Sequence, residues 1–83
     1  MRIDVTSQVL TLLRSMGEAS RPLWAAIEQL RKNPTPGDAR LVSERTGRRE
    51  MLVQVGARGF WLVWEVRQDR GETVVRIAVI EEN

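Results

Sequence analysis

Arg49 to Val66 reads REMLVQVGARGFWLVWEV, and Glu72 to Ile80 reads ETVVRIAVI. Runs rich in Val, Ile, Trp and Phe, separated by GARG and QDRG, predict three consecutive strands joined by tight turns. If Gly56 to Gly59 and Gln68 to Gly71 are four-residue hairpin loops, Val55 faces Phe60, Gln54 faces Trp61 and Arg67 faces Glu72. Period-two alternation then sorts the side chains onto two faces. One holds Met51, Val53, Val55, Phe60, Leu62, Trp64, Val66, Val75, Ile77 and Val79, nearly all apolar and therefore the expected core. The other holds Leu52, Gln54, Trp61, Val63, Glu65, Arg67, Val74, Arg76, Ala78 and Ile80, a mixture that suits a partly wet surface.

Upstream of these strands the period changes to 3–4. Val9, Leu10, Leu12, Leu13 and Met16 mark a helix capped by Thr6 or Ser7, with Gly17 just past its end. A second helix starts at Ser20 with Pro22 in its first turn. It carries Leu23, Trp24, Ile27 and Leu30 towards the core and stops at Asn33–Gly37, NPTPG. Trp24 and Trp64 are both expected in the core. Arg2–Val5 is a short strand candidate, and Asp38 to Arg49 reads as a polar connection. The whole predicts one α+β domain over residues 1–83, with two helices packed on one face of a small antiparallel sheet in the order βααβββ.

Composition narrows the chemistry. Twelve arginines and one lysine face eleven acids, leaving a net charge of +2, so charge alone argues only weakly for a polyanionic partner. There is no Cys, His or Tyr. That excludes thiol nucleophiles, disulfides and the usual neutral-pH acid–base group, and it removes the commonest zinc ligands. No metal site, cofactor or catalytic residue is expected. No apolar run is long enough to cross a bilayer, so no membrane association is expected and the cytoplasm is the default compartment.

The order of elements, with three quoted segments, resembles the RelE/ParE superfamily of bacterial type II toxins. AAIEQLRKNPTPGDARLV (Ala25–Val42) is similar to that family's second helix and following loop, and TVVRIAVI to its closing strand. MLVQVGARGFWLVWEV is similar to its strand–turn–strand signature, in which Gly59, Phe60, Trp61, Leu62, Val63 and Trp64 fall on the glycine, the aromatic and the apolar run. The resemblance implies a toxin-like component neutralised by a small cognate antitoxin. Messenger-RNA-cleaving members place basic side chains on the open sheet face. Here the matching positions are Leu52, Gln54, Trp61 and Asn83, none of them basic, and the terminal Tyr or His segment of such members is missing. The resemblance therefore points to a ParE-like gyrase poison or a non-catalytic member. A divergent ribosome-dependent mRNA endoribonuclease and a non-toxic homodimeric interaction module are the alternatives.

Two sets of residues carry these readings. Leu52, Gln54, Trp61, Val63, Glu65, Arg76 and Ile80 form the expected partner-binding face, with Trp61 as its anchor. Arg45, Arg48, Arg49 and Arg58 are candidates for phosphate or target contacts, because arginine presents a planar fork to anionic oxygens. Interleaved Glu44 and Glu50 could instead make the first three an ordinary solvated loop, and Arg58 could be a solubilising turn residue. Glu65, Arg67 and Arg76 fit a structural ion pair better than a charged site.

Overall fold

Two-residue turns set the geometry of the meander. In the computed structural model, which describes residues 1–83, β3 (Arg48–Val55) and β4 (Arg58–Asp69) pair antiparallel with Val55 opposite Arg58. The loop is Gly56–Ala57 alone, with Gly56 at φ +63°, a conformation glycine adopts without strain. The second turn is Arg70–Gly71, both at positive φ, as a type I′ turn requires, and it sets Asp69 opposite Glu72 of β5 (Glu72–Glu82). Both expected four-residue loops are corrected. Each correction moves the register by two residues, which changes every cross-strand partner but keeps every side chain on its face.

A bulge breaks that symmetry. Val63 pairs with Val79 but Trp64 pairs with Ile77, so Ala78 is an extra residue in β5. Beyond it the faces exchange. Ile80, expected on the open face, is buried at 8% exposure in the core, whereas Val79, expected in the core, is 37% exposed. The bulge is held from outside the sheet. The backbone N–H of Thr6 donates to the Ile77 carbonyl at 3.3 Å, and the Thr6 hydroxyl donates to the Ala78 carbonyl at 3.4 Å. That hydroxyl oxygen also accepts from the Val9 N–H at the start of α1 (Ser7–Met16).

The expected fold is corrected in its sheet and in its helical layer. The sheet is mixed and five-stranded, in the order β1-β5-β4-β3-β2. β1 (Arg2–Val5) lies parallel to β5 at one edge, with Ile3 against Val75 and Val5 against Ile77. β2 (Arg40–Ser43), part of the supposed polar connection, forms the other edge against β3. Its sequence, RLVS, offers only Leu41 and Val42 as apolar residues, and both remain exposed. The helical residues do not form two rods separated by a loop. From α1 the chain passes through a 3₁₀ turn (Gly17–Ser20) directly into α2 (Arg21–Lys32). Gly17 takes φ +59° at the corner, and the Ser20 hydroxyl donates to its carbonyl at 2.6 Å.

This helical layer covers one face. Val9, Leu13, Leu23, Ile27 and Leu30 pack on Met51, Val55, Phe60, Leu62, Trp64, Val75, Ile77 and Ile80. Trp64 is fully buried, and its indole N–H donates to the Pro34 carbonyl at 2.9 Å, tying the segment after α2 to the core. Trp24 is not in the core. It is 37% exposed, because a residue next to Leu23 is turned about 100° from the Leu23–Ile27–Leu30 stripe. At the opposite corner Gly47, at φ +67°, lies against β4. The Val66 N–H donates to its carbonyl at 3.1 Å, and a Cβ on Gly47 would stand 2.5 Å from the Val66 oxygen.

Candidate functional site

The face away from the helices has two unlike halves. Near the β3–β4 turn it is apolar. Leu52 stands directly opposite Trp61, and Val63 opposite Val79, giving a block of four uncharged side chains on three adjacent strands. Leu52 is 40% exposed and leans towards Gly59, whose missing side chain leaves it room. Trp61 is half-buried, with its indole N–H donating to the Asn83 side-chain oxygen at 3.2 Å. Gln54 faces Gly59 at the rim. Glu50 and Glu81, opposite Val63 and Trp61 respectively, bring acids to the border of the block.

The other half is charged and is organised by one carboxylate. Glu65 sits at the centre of the sheet, only 3% exposed, with Arg48 opposite it on β3 and Arg76 opposite it on β5. Arg48 donates through Nε and Nη2 to Oε2, at 3.2 and 3.0 Å. Arg67, two residues along β4, donates to Oε1, and Arg76 brings Nη1 to 3.6 Å from the same oxygen. Burial pushes the Glu65 carboxyl up. The Arg48 hydrogen bond and the Arg67 charge outweigh that effect and hold it below the ordinary value of 4.5. At neutral pH Glu65 is thus an ionised, fully engaged anchor, not a poised proton acceptor. This half is suited to binding, and its surplus of guanidinium groups suits an anion.

The sequence candidates distribute unevenly over this geometry. Leu52, Gln54, Trp61, Val63, Glu65 and Arg76 share the open face, whereas Ile80 has crossed to the core. The four candidate arginines do not converge. Arg48 joins Glu65, and exposed Arg45 lies in the β2–β3 turn. Arg49, on the helix side of β3, donates to the Gly47 carbonyl at 3.3 Å. Arg58 is at the far end of the sheet, bonded through Nε and Nη2 to both oxygens of Glu82 at 2.8 and 2.7 Å and stacked 5.0 Å above Phe60. Those mutual hydrogen bonds raise Arg58 and lower Glu82 relative to their ordinary values.

Sequence reasoning missed Arg2 and the bond from Arg48 to Glu65. A register two residues longer would set Glu65 against Glu50 and Val74, so the pairing of Arg48, Glu65 and Arg76 depends on the two-residue turns. The signals available were glycine at the first turn residue of GARG and Arg-Gly at the second. No family model, curated protein or solved structure matches the chain. No helix is long and apolar enough to cross a membrane.

Proposed function

We propose that this chain is a partner-binding protein, the toxin-like component of a type II toxin–antitoxin pair, whose open sheet face receives an amphipathic, acidic segment of a small antitoxin. The observation that carries this reading is the adjacency of two halves on one uncovered surface. Leu52, Trp61, Val63 and Val79 offer an apolar block, and guanidinium groups gathered around Glu65 lie beside it. A segment with apolar residues on one side and carboxylates further along would bury the first and neutralise the second. The quoted likeness to RelE/ParE sequences supports the same reading. Non-basic side chains at Leu52, Gln54, Trp61 and Asn83 favour a gyrase poison of the ParE kind, or a non-catalytic member, over an RNA-cleaving one.

The test is co-expression with the product of the adjoining reading frame, followed by purification through a tag on that product. The proposal expects a stable complex that Trp61→Arg and Leu52→Arg disrupt, and slowed growth when the chain is produced alone. Normal growth together with no complex would overturn it. A complex unaffected by both substitutions would overturn the assignment of the open face. Codon-specific cleavage of messenger RNA on translating ribosomes would replace it with a nuclease.

A further inference from the structure

Beside the Glu65 cluster the open face sinks into a depression of 280 Å³, lined by Arg2, Asp4, Arg67, Gln68, Asp69, Val74 and Arg76. Its cause is a short side chain between long ones. Val74 pairs with Arg67 of β4 on one side and with Arg2 of β1 on the other, so two arginines on the flanking strands rise beside a valine that is only 5% exposed. Arg76, two residues along β5, closes a third side. The two walls differ in how fully their charges are used. Arg2 donates to both oxygens of Asp4, at 3.1 and 3.3 Å, and lies 3.6 Å from Asp69, so it engages both acids of this depression, although Asp4 stands opposite Arg76 and Asp69 is two residues from Arg67 on β4. Arg67, across the Val74 floor, and Arg76, at its end, share a single buried carboxylate, Glu65, which Arg48 also engages. Arg76 remains outside hydrogen-bond distance of it, with its side chain 44% exposed.

We propose that this depression is an oxyanion site, in which Arg67 and Arg76 take a carboxylate from an acidic peptide segment above the Val74 floor. Glu65 is its positioning residue. From below the surface it draws the guanidinium groups together while engaging only Nη2 of Arg67 and, at 3.6 Å, Nη1 of Arg76, an arrangement those groups would otherwise oppose by mutual repulsion. The inference rests on the partner-binding reading for its choice of an acidic peptide, but the site itself is tested without the partner. It deepens that reading by naming where the partner's acids would seat.

The experiment is NMR titration of the full chain, at constant ionic strength, with hexaglutamate in one series and inorganic phosphate in the other. Expected are saturable shifts of the Gln68 and Val74 amides and the Arg76 Nε–H with hexaglutamate. Arg76→Gln and Arg67→Gln should each weaken binding by about tenfold, the scale of one lost charge-assisted hydrogen bond. Arg21→Gln, on the helical side, should leave it unchanged. Shifts that grow without saturation at every exposed arginine would overturn the site. Tighter binding of phosphate than of hexaglutamate, at the same residues, would overturn its assignment to a peptide carboxylate. The wild-type titration decides the matter even if a variant fails to fold. Failure of the antitoxin test would leave this result standing, and the reverse also holds.

Discussion

The same strands present two faces, and the two are held together by different physics. On the covered face Phe60, Leu62, Trp64, Val75 and Ile77 interlock with the helices, and nearly every side chain there is apolar. On the open face the central position is an ionised glutamate, kept tolerable by three guanidinium groups. Trp64 and Trp61 make the contrast compact, because they lie three residues apart on one strand and on opposite faces. The first is fully buried and bonded to a backbone carbonyl from another element, whereas the second is half-buried and bonded to Asn83 at the sheet's end. The covered face is specified by volume and the open face by charge. One should therefore respond to truncation and the other to pH.

The strongest challenge to this contrast is Trp64→Ala, expected to cost about 3–5 kcal/mol in urea denaturation, the range for truncating a large buried aromatic. A loss no greater than that of Trp61→Ala would abolish the distinction between the faces. Gly47→Ala should cost about 2 kcal/mol or more, because the new methyl meets the Val66 carbonyl at 2.5 Å in a left-handed backbone conformation. An unchanged denaturation midpoint would show that the turn between β2 and β3 yields readily.

Glu65→Gln should cost about 1–3 kcal/mol at neutral pH, since it leaves the arginines around a neutral amide. The effect should depend on pH with a definite sign. The carboxyl titrates lower in the folded chain than its ordinary 4.5, so its stabilisation is present above that value and is lost as pH falls through the folded value. The gap between wild type and Glu65→Gln should therefore narrow below about pH 4.5 and be flat above it. A gap that widened on acidification would contradict the ionised-anchor account. The smallest expected effect is that of Trp61→Ala on folding, roughly 1 kcal/mol or less for a half-exposed side chain, although the same substitution should weaken partner capture.

Much of this molecule could be read from local pattern. The strands of the meander, the capping of α1 by Thr6, the stripe of Leu23, Ile27 and Leu30, and the burial of Trp64 all follow from residues close in sequence, because hydrophobic period and turn chemistry act over a few positions. Face assignment up to the Ala78 bulge also survived a wrong register, because the error was an even number of residues. Other features depended on distant parts of the chain. β2 exists because β3 supplies an edge for a weak strand-forming segment, and β1 lies parallel to β5 because the helical layer carries the chain to the far edge, from which β2, β3 and β4 bring it back in antiparallel steps.

The chain's own pattern determined the alternation, the turns and the apolar stripes, each governed by steric and solvation preferences of neighbouring residues. Only the tertiary structure decided that Ala78 bulges, exchanging Val79 and Ile80 between faces, since that bulge is held by Thr6 across the fold. Tertiary pairing also brought Arg2, Arg48, Arg67 and Arg76 around Glu65 and Val74. The two short turns set the register of β3, β4 and β5 there, whereas the seating of β1 beside β5, which adds Arg2, joins segments some seventy residues apart and lies in no local window of sequence.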